Sequence, residues 1–240
     1  MHPLRVLITA GPTHEPIDRV RYIANRSSGR IGIEIAESAL DAGWHTTLAL
    51  GPTHLLPRTT PRPDSLSVDH SDTQQRSARF RLLRFQTTDD LAKLLAEEEL
   101  NADILVMAAA VADYRVSKPD HEHPDKLRRS SAGMTLTLES TPDLIADCVR
   151  RRARSGEGKP RLIVAFALEP ADELIEKARE KLVRKGADLI VANPLETMDA
   201  HTVQAYLLGP EGTVAATPGK IDKQEFGAWL IRELTDHLGR

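Results

Sequence analysis

Five short runs along this 240-residue chain, residues 4–10, 46–50, 103–109, 162–167 and 188–192, are apolar almost throughout rather than alternating. Continuous runs of that length predict parallel β-strands covered on both faces. Between them the apolar positions recur at helical intervals. Ile31, Ile35 and Ala39 share one face, Leu91, Leu94 and Leu95 another, and Leu174, Ala178 and Leu182 a third. The third stripe stops at Gly186, a residue suited to the turn that ends a helix. Thr141-Pro142-Asp143 predicts an N-cap, a first-turn proline and a first-turn acid, opening a helix to about Arg150. Phe226, Leu230, Leu234 and Leu238 recur every four residues in a final helix. Strands and helices alternate, so the expected fold is a doubly wound α/β sheet with right-handed crossovers. Within residues 202–208, Val203, Ala205 and Leu207 alternate inward, and Gly212–Ala216 is expected to pair with them as a late antiparallel hairpin.

Two segments break the rhythm. Residues 55–78 are rich in Pro, Thr, Ser and Arg without a period, and are expected to be a mobile insertion. Residues 114–133 follow a strand directly and carry Lys118, Lys126, Arg128 and Arg129. Loops leaving the carboxyl ends of parallel strands are where α/β proteins place ligands, so this loop carries more weight. There is no internal repeat, and residues 1–240 are expected to form a single domain.

Composition narrows the function classes. Lys and Arg number 32 against 35 Asp and Glu, a net charge of −3 that argues against a surface built to hold nucleic acid. The lone cysteine, Cys148, excludes an intrachain disulfide and a cysteine-cluster zinc site. Its helical setting, four residues from Leu144, favours packing over nucleophilic catalysis. The longest apolar run is too short for a bilayer and the N-terminus shows no secretory segment, so a cytoplasmic protein is expected.

Candidate chemistry gathers at the predicted strand ends. Ser27-Ser28-Gly29-Arg30-Ile31-Gly32 opens a helix, where free N–H groups and the positive dipole end suit phosphate. Arg21, Arg26 and Arg30 could add charge-assisted contacts; the bland alternative is a serine-capped helix whose Gly32 packs on a strand. Gly11-Pro12-Thr13-His14-Glu15-Pro16-Ile17-Asp18 reads either as a rigid proline-framed connection, with Glu15 and Asp18 paired to local arginines, or as a pocket wall completed by Asn25. Small residues in Ala108-Ala109-Ala110-Val111-Ala112-Asp113 would let a flat ligand approach the backbone, with Asp113 as a cap in the plainer reading. Lys181 and Lys185 share a helical face, as ligand contacts or as solvated partners of Glu176 or Glu180. His121 and His123 make a metal pair without an evident third ligand. The arginines between Arg150 and Arg154 are explained by a helix C-terminus.

Taken together these stretches resemble phosphopantothenoylcysteine synthetase of coenzyme A biosynthesis. The resemblance rests on Thr9–Thr13, Glu15–Asp18, Val20–Gly29, Ala109–Arg115, Asp125–Arg129, Thr141–Leu144, Ala165–Glu169 and Ala187–Asn193, in order and across nearly the whole chain apart from 55–78. It implies a Rossmann-like homodimer that joins 4′-phosphopantothenate to cysteine through an acyl-nucleotide, using Mg²⁺ and CTP, with ATP as the alternative. It also implies that Asn25 holds the acyl intermediate, Lys126 stabilises charge in the first step, and Arg21, Gly11 and the Ser27-Ser28-Gly29 turn bind phosphates or intermediate. Ala109, Ala110, Asp113, Thr141, Pro142, Asp143, Leu144, Phe166, Lys181 and Lys185 would line the nucleotide site. Mg²⁺ would be held mainly by nucleotide phosphates. No flavin, nucleic acid or membrane is expected, and a separate decarboxylase is the expected pathway neighbour. The sequence departs from the family pattern at Thr141, where many members have Asn, and at Arg128-Arg129, which replace a lysine pair. Two other readings are an NAD(P)-dependent reductase and a non-catalytic nucleotide-binding module.

Overall fold

The computed structural model describes residues 2–60, 75–117, 134–198 and 200–239. In chain order it contains β1 (Arg5–Ala10), β2 (His14–Pro16), β3 (Tyr22–Ala24), α1 (Arg30–Asp41), β4 (His45–Leu50), β5 (Phe80–Arg84), α2 (Thr88–Glu98), β6 (Ile104–Met107), β7 (Tyr114–Val116), β8 (Leu138–Ser140), α3 (Leu144–Ser155), β9 (Leu162–Glu169), α4 (Leu174–Lys185), β10 (Leu189–Pro194), β11 (Thr202–Val203), β12 (Tyr206–Gly209), β13 (Gly212–Ala216), β14 (Ile221–Asp222) and α5 (Lys223–Gly239). Eight strands form one sheet in the order β13-β12-β10-β9-β6-β1-β4-β5. It is parallel from β5 to β10, and β12 and β13 extend it antiparallel.

The five apolar runs become β1, β4, β6, β9 and β10, as expected. Their residues alternate between two cores. Val6, Ile8, Ile104, Val106 and Val164 face the core built with α1 and α5. Leu7, Leu105, Met107, Ile163 and Ala165 face the core built with α2, α3 and α4. A strand buried on both faces has no reason to alternate in polarity, which is why these runs read as continuous. The helical stripes are buried where periodicity put them, with Ile35, Leu91, Ala178 and Phe226 fully inside. Gly186 ends α4 in the left-handed conformation.

Two expectations need correction, and one strand is new. The late hairpin forms between β12 and β13, but residues 202–208 are not one strand: Thr202–Val203 pairs separately with β14. The helix at Thr141 starts later, with Asp143 as N-cap, and runs to Ser155. β5, not anticipated, is an edge strand whose Arg81 and Arg84 interrupt the apolar pattern.

The chain leaves β1 for β4 and β5 on one side, then crosses to β6 on the other. Such a reversal opens a crevice at the carboxyl ends of the two strands flanking it. Two short hairpins, β2–β3 and β7–β8, follow directly from β1 and β6 at this edge. The described flanks of the 55–78 segment dock on α1. Glu37, 1% exposed, accepts Thr59 N and Oγ1 at 3.0 Å each and Arg76 Nη2 at 2.8 Å. Residues 61–74 lie outside the described residues.

Candidate active site

Three turns collapse on one another at the carboxyl ends of β1 and β4, and glycine is what lets them. Gly11 and Gly29 both hold positive φ, 81° and 74°. A Cβ on Gly29 would lie 3.1 Å from Gly11 N, and one on Gly51 would lie 2.3 Å from Pro12 O. Gly32 packs on β1 so closely that its Cβ would sit 2.5 Å from that of Ala10. The packing reading of Gly32 therefore holds. The serine reading changes: Gly29, not a serine, is the N-cap of α1. Ser27 and Ser28 Oγ instead accept Gly29 N and Arg30 N at 3.3 and 3.4 Å. These contacts are long, and a phosphate oxygen is a stronger acceptor for the same amides. Thr53 Oγ1, after β4, donates to Ser28 O at 2.7 Å and fixes the turn.

The loop after β6 is zipped to the loop after β1 almost wholly by backbone. Ala110 N donates to Gly11 O at 2.9 Å and Thr13 N to Ala110 O at 3.3 Å, extending the parallel pairing beyond both strands. Ala112 N donates to Thr13 Oγ1 at 3.0 Å. Asn25 Nδ2 reaches across to Val111 O at 2.9 Å, so the arm after β3 meets the small-residue loop. Beneath lies Glu15, 3% exposed, which accepts Thr88 N and Oγ1 at 2.8 and 2.7 Å. The expected arginine partner of Glu15 is thus replaced by the N-terminus of α2, where a carboxylate is favoured. Asp18 does pair with Arg21, and also accepts Arg21 N and Val20 N at 2.8 Å.

A third wall is formed by residues distant in sequence. Thr141 Oγ1 donates to Ala112 O and Thr141 N to Asp113 O at 3.0 Å, which ties the small-residue loop to the start of α3. Asp143 caps that helix through Ala146 N and accepts Lys185 Nζ at 2.9 Å on both oxygens. Neither Thr141 nor Asp113 is the cap. Asp143 titrates below the usual aspartate range: its hydrogen bonds and the charge of Lys185 outweigh partial burial. Lys181, one turn before Lys185, is pushed below the usual lysine range by burial and by Lys185, against the opposing charges of Glu169 and Asp113. The expected partners Glu176 and Glu180 are therefore not the groups that hold these lysines; Glu180 pairs with Lys177 instead. Phe166, on β9 beside β6, is half-buried against the α1–α5 core.

The structure thus brings Gly11, Ser27–Gly29, Asn25, Ala109–Asp113, Thr141–Leu144, Lys181 and Lys185 to one edge. Lys126, His121 and His123 lie outside the described residues. Sequence reading named Thr13 and Glu15 only within a possible pocket wall and missed Thr88, Thr53 and Gly51; the contacts of this group span up to 99 positions. Density of hydroxyls around the glycines was the available signal. Cys148 is fully buried and its thiol is pushed up by burial and Glu99, as a packing residue would be. The arginines beside it do more than face a helix end: Arg151 pairs with Glu99 at 2.8 Å and Arg152 with Asp188 at 3.1 Å. Among the described residues no three His, Cys, Asp or Glu converge as a metal site, and no helix is long and apolar enough to cross a membrane.

Comparison with known proteins gives a consistent answer. Residues 1–238 match the family described as DNA/pantothenate metabolism flavoprotein C-terminal domain. The chain is 38% identical over 192 residues to a protein named Cysteine/Cysteine sulfinic acid decarboxylase from an unknown prokaryotic organism, covering 80% of this chain and 46% of that one. It is 36% identical over 219 residues to the Coenzyme A biosynthesis bifunctional protein CoaBC of Mycobacterium bovis, covering 88% and 47%. The chain spans about half the length of the curated relatives it matches. Among solved structures, the C-terminal domain of a CoaBC protein superposes with a TM-score of 0.71 at 28% identity, over 98% of this chain and 96% of that one. With the motifs, the switch-point crevice and these matches in agreement, the chain belongs to the DNA/pantothenate metabolism flavoprotein C-terminal domain family.

Proposed function

We propose that this chain is a phosphopantothenate–cysteine ligase acting in coenzyme A biosynthesis, with residues 1–240 as one synthetase domain. The observation that carries the reading is the convergence of the glycine stack, Asn25 and the Asp143–Lys185 and Lys181 wall on one crevice. In the first step the carboxylate of 4′-phosphopantothenate attacks the α-phosphate of CTP and pyrophosphate leaves. In the second the amine of cysteine attacks the acyl carbon, loses a proton, and CMP departs. Both steps are redox-neutral, so a flavin has no part in them, and neither needs a covalent enzyme intermediate. What they need is alignment, and donors and cations where charge develops.

Ser27, Ser28 and Gly29 with Arg21 would bind phosphate groups. Ala109, Ala110 and Phe166 would line the base and ribose, with Lys181 and Lys185 near the phosphates. Lys126 would stabilise charge in the first step. The Mg²⁺ that such a reaction uses would arrive on the phosphates, with Asp113 the nearest carboxylate on the small-residue loop. A homodimer fits the exposed Tyr22, Tyr114, Met134 and Leu138 on and beside the two hairpins, large apolar groups that a second copy would cover. The partner that would consume the product is a decarboxylase.

The deciding experiment supplies 4′-phosphopantothenate, cysteine, Mg²⁺ and either CTP or ATP, and follows pyrophosphate and amide. Turnover with CTP is expected. Turnover with ATP alone would keep the reaction and change the nucleotide, whereas a folded protein that turns over neither is no ligase. A second expectation concerns protons. Lys181 titrates below the ordinary lysine value in the free protein. A bound polyphosphate favours its charged form and raises that value again. Between the lowered and restored values, nucleotide binding must therefore take up protons, and affinity must fall as pH rises through that window. Calorimetry of CTP binding in two buffers of different ionisation heat would read the uptake directly. Identical heats across the alkaline range would place Lys181 away from the phosphates.

A further inference from the structure

We propose that the opposite, amino-terminal edge of the sheet carries a second binding site, for a phosphorylated organic anion of about nucleotide size. Below the start of β1 and β4 lies a cavity of about 540 Å³, within the range of small-molecule sites. Its inner end is closed by the strand start at Val6 and Leu7 and by Ala102, all buried. Its walls are cationic: Arg5, Arg79 and Arg81, with His2 and His45 beside them and Glu98 as the acid. Glu98 is engaged by Arg81 through two bonds of 2.9 Å. Among the described residues no carboxylate pairs with the guanidinium of Arg5 or of Arg79, whose Nε makes only a long contact to Gln75 O at 3.4 Å. Two fork-shaped donors beside a cavity of this volume match a phosphate carried on an organic body.

The plainer explanation is that these cations offset the negative ends of α1 and α2, which terminate here. Neither helix places a basic residue in its own last turn, so the role would fall to cations from other elements. Arg5 comes from β1, Arg81 from β5 and Arg79 from the turn before β5. Offsetting a helix end also asks for no cavity. Every described residue assigned to the crevice lies at the carboxyl edge, so the cavity is not part of that site, and it stands whether or not the ligase reading does.

The test is a titration of the ¹⁵N-labelled protein with ATP, without magnesium, followed by NMR. The amides of Thr47, Asn101 and Ala102, which line the cavity, are expected to shift in a saturable way. Arg5→Gln with Arg79→Gln should raise the midpoint at least tenfold, and Lys185→Gln, at the other edge, should leave it unchanged. Should the double variant fold poorly, the exposed Arg5→Gln alone should still raise the midpoint several-fold. Adenosine, which lacks phosphate, should leave the three amides in place. Absence of shifts at these amides, an unchanged midpoint in the arginine variants, or equal shifts with adenosine would each overturn the proposal.

Discussion

Asn25→Ala is expected to release pyrophosphate yet lower amide formation about a hundredfold, so that acyl-nucleotide accumulates or escapes. Asn25 stands where the arm after β3 meets the small-residue loop, its Nδ2 on Val111 O at 2.9 Å. That junction joins the glycine stack to the wall that ends in Asp143 and Lys185. On the ligase reading, the first step draws mainly on cations around the phosphates, none of which Asn25 supplies. The second step requires the acyl carbon to be held within reach of a diffusing amine, and a fixed amide side chain serves that alignment. Rapid quench of a single turnover, with nucleotide species separated by chromatography, distinguishes the steps. Amide formation at the normal rate would remove Asn25 from the reaction.

Gly227→Ala should cost much stability through the addition of a single methyl group. At this residue α5 crosses α1, and a Cβ would lie 2.5 Å from Glu34 O and 2.7 Å from Ser38 Oγ. Ser38 could rotate away, but Glu34 O belongs to the backbone of α1, so the helices themselves must separate. Phe226, Trp229 and Leu230 flank the contact within the α1–α5 core, and separation would loosen all three. Overpacking of this kind costs about 2–3 kcal/mol, which for a chain of this size lowers Tm by about 5–10 °C. Thermal melting of the variant checks it. A loss under a degree would mean that α5 shifts freely along α1.

How much of this was legible in the sequence follows from the range of the forces involved. β1, β4, β6, β9 and β10 announced themselves because burial on both faces leaves a continuous apolar run. β5 did not, because an edge strand carries Arg81 and Arg84 among its leucines. The β2–β3 and β7–β8 hairpins have strands of three residues, too short for any period to register. At α3 the choice between Thr141 and Asp143 as cap turned on tertiary contacts, since Ala112 O claims the threonine hydroxyl. The candidate site was legible as separate stretches, most of which the fold brings to one edge. Its pairings were not legible: Lys185 finds Asp143 across 42 positions and Glu15 finds Thr88 across 73, whereas spacing rules see only the neighbouring turn.

Glu37 has a consequence for how this chain can change over time. Thr59 and Arg76 both fasten to that one carboxylate, so the excursion between them departs from and returns to a single doorway on α1. The entropy of closing a loop grows only with the logarithm of its length. Adding residues between Thr59 and Arg76 therefore costs little more in closure entropy. The two flanks and Glu37 must change together, because loss of that carboxylate would release both ends of the segment at once.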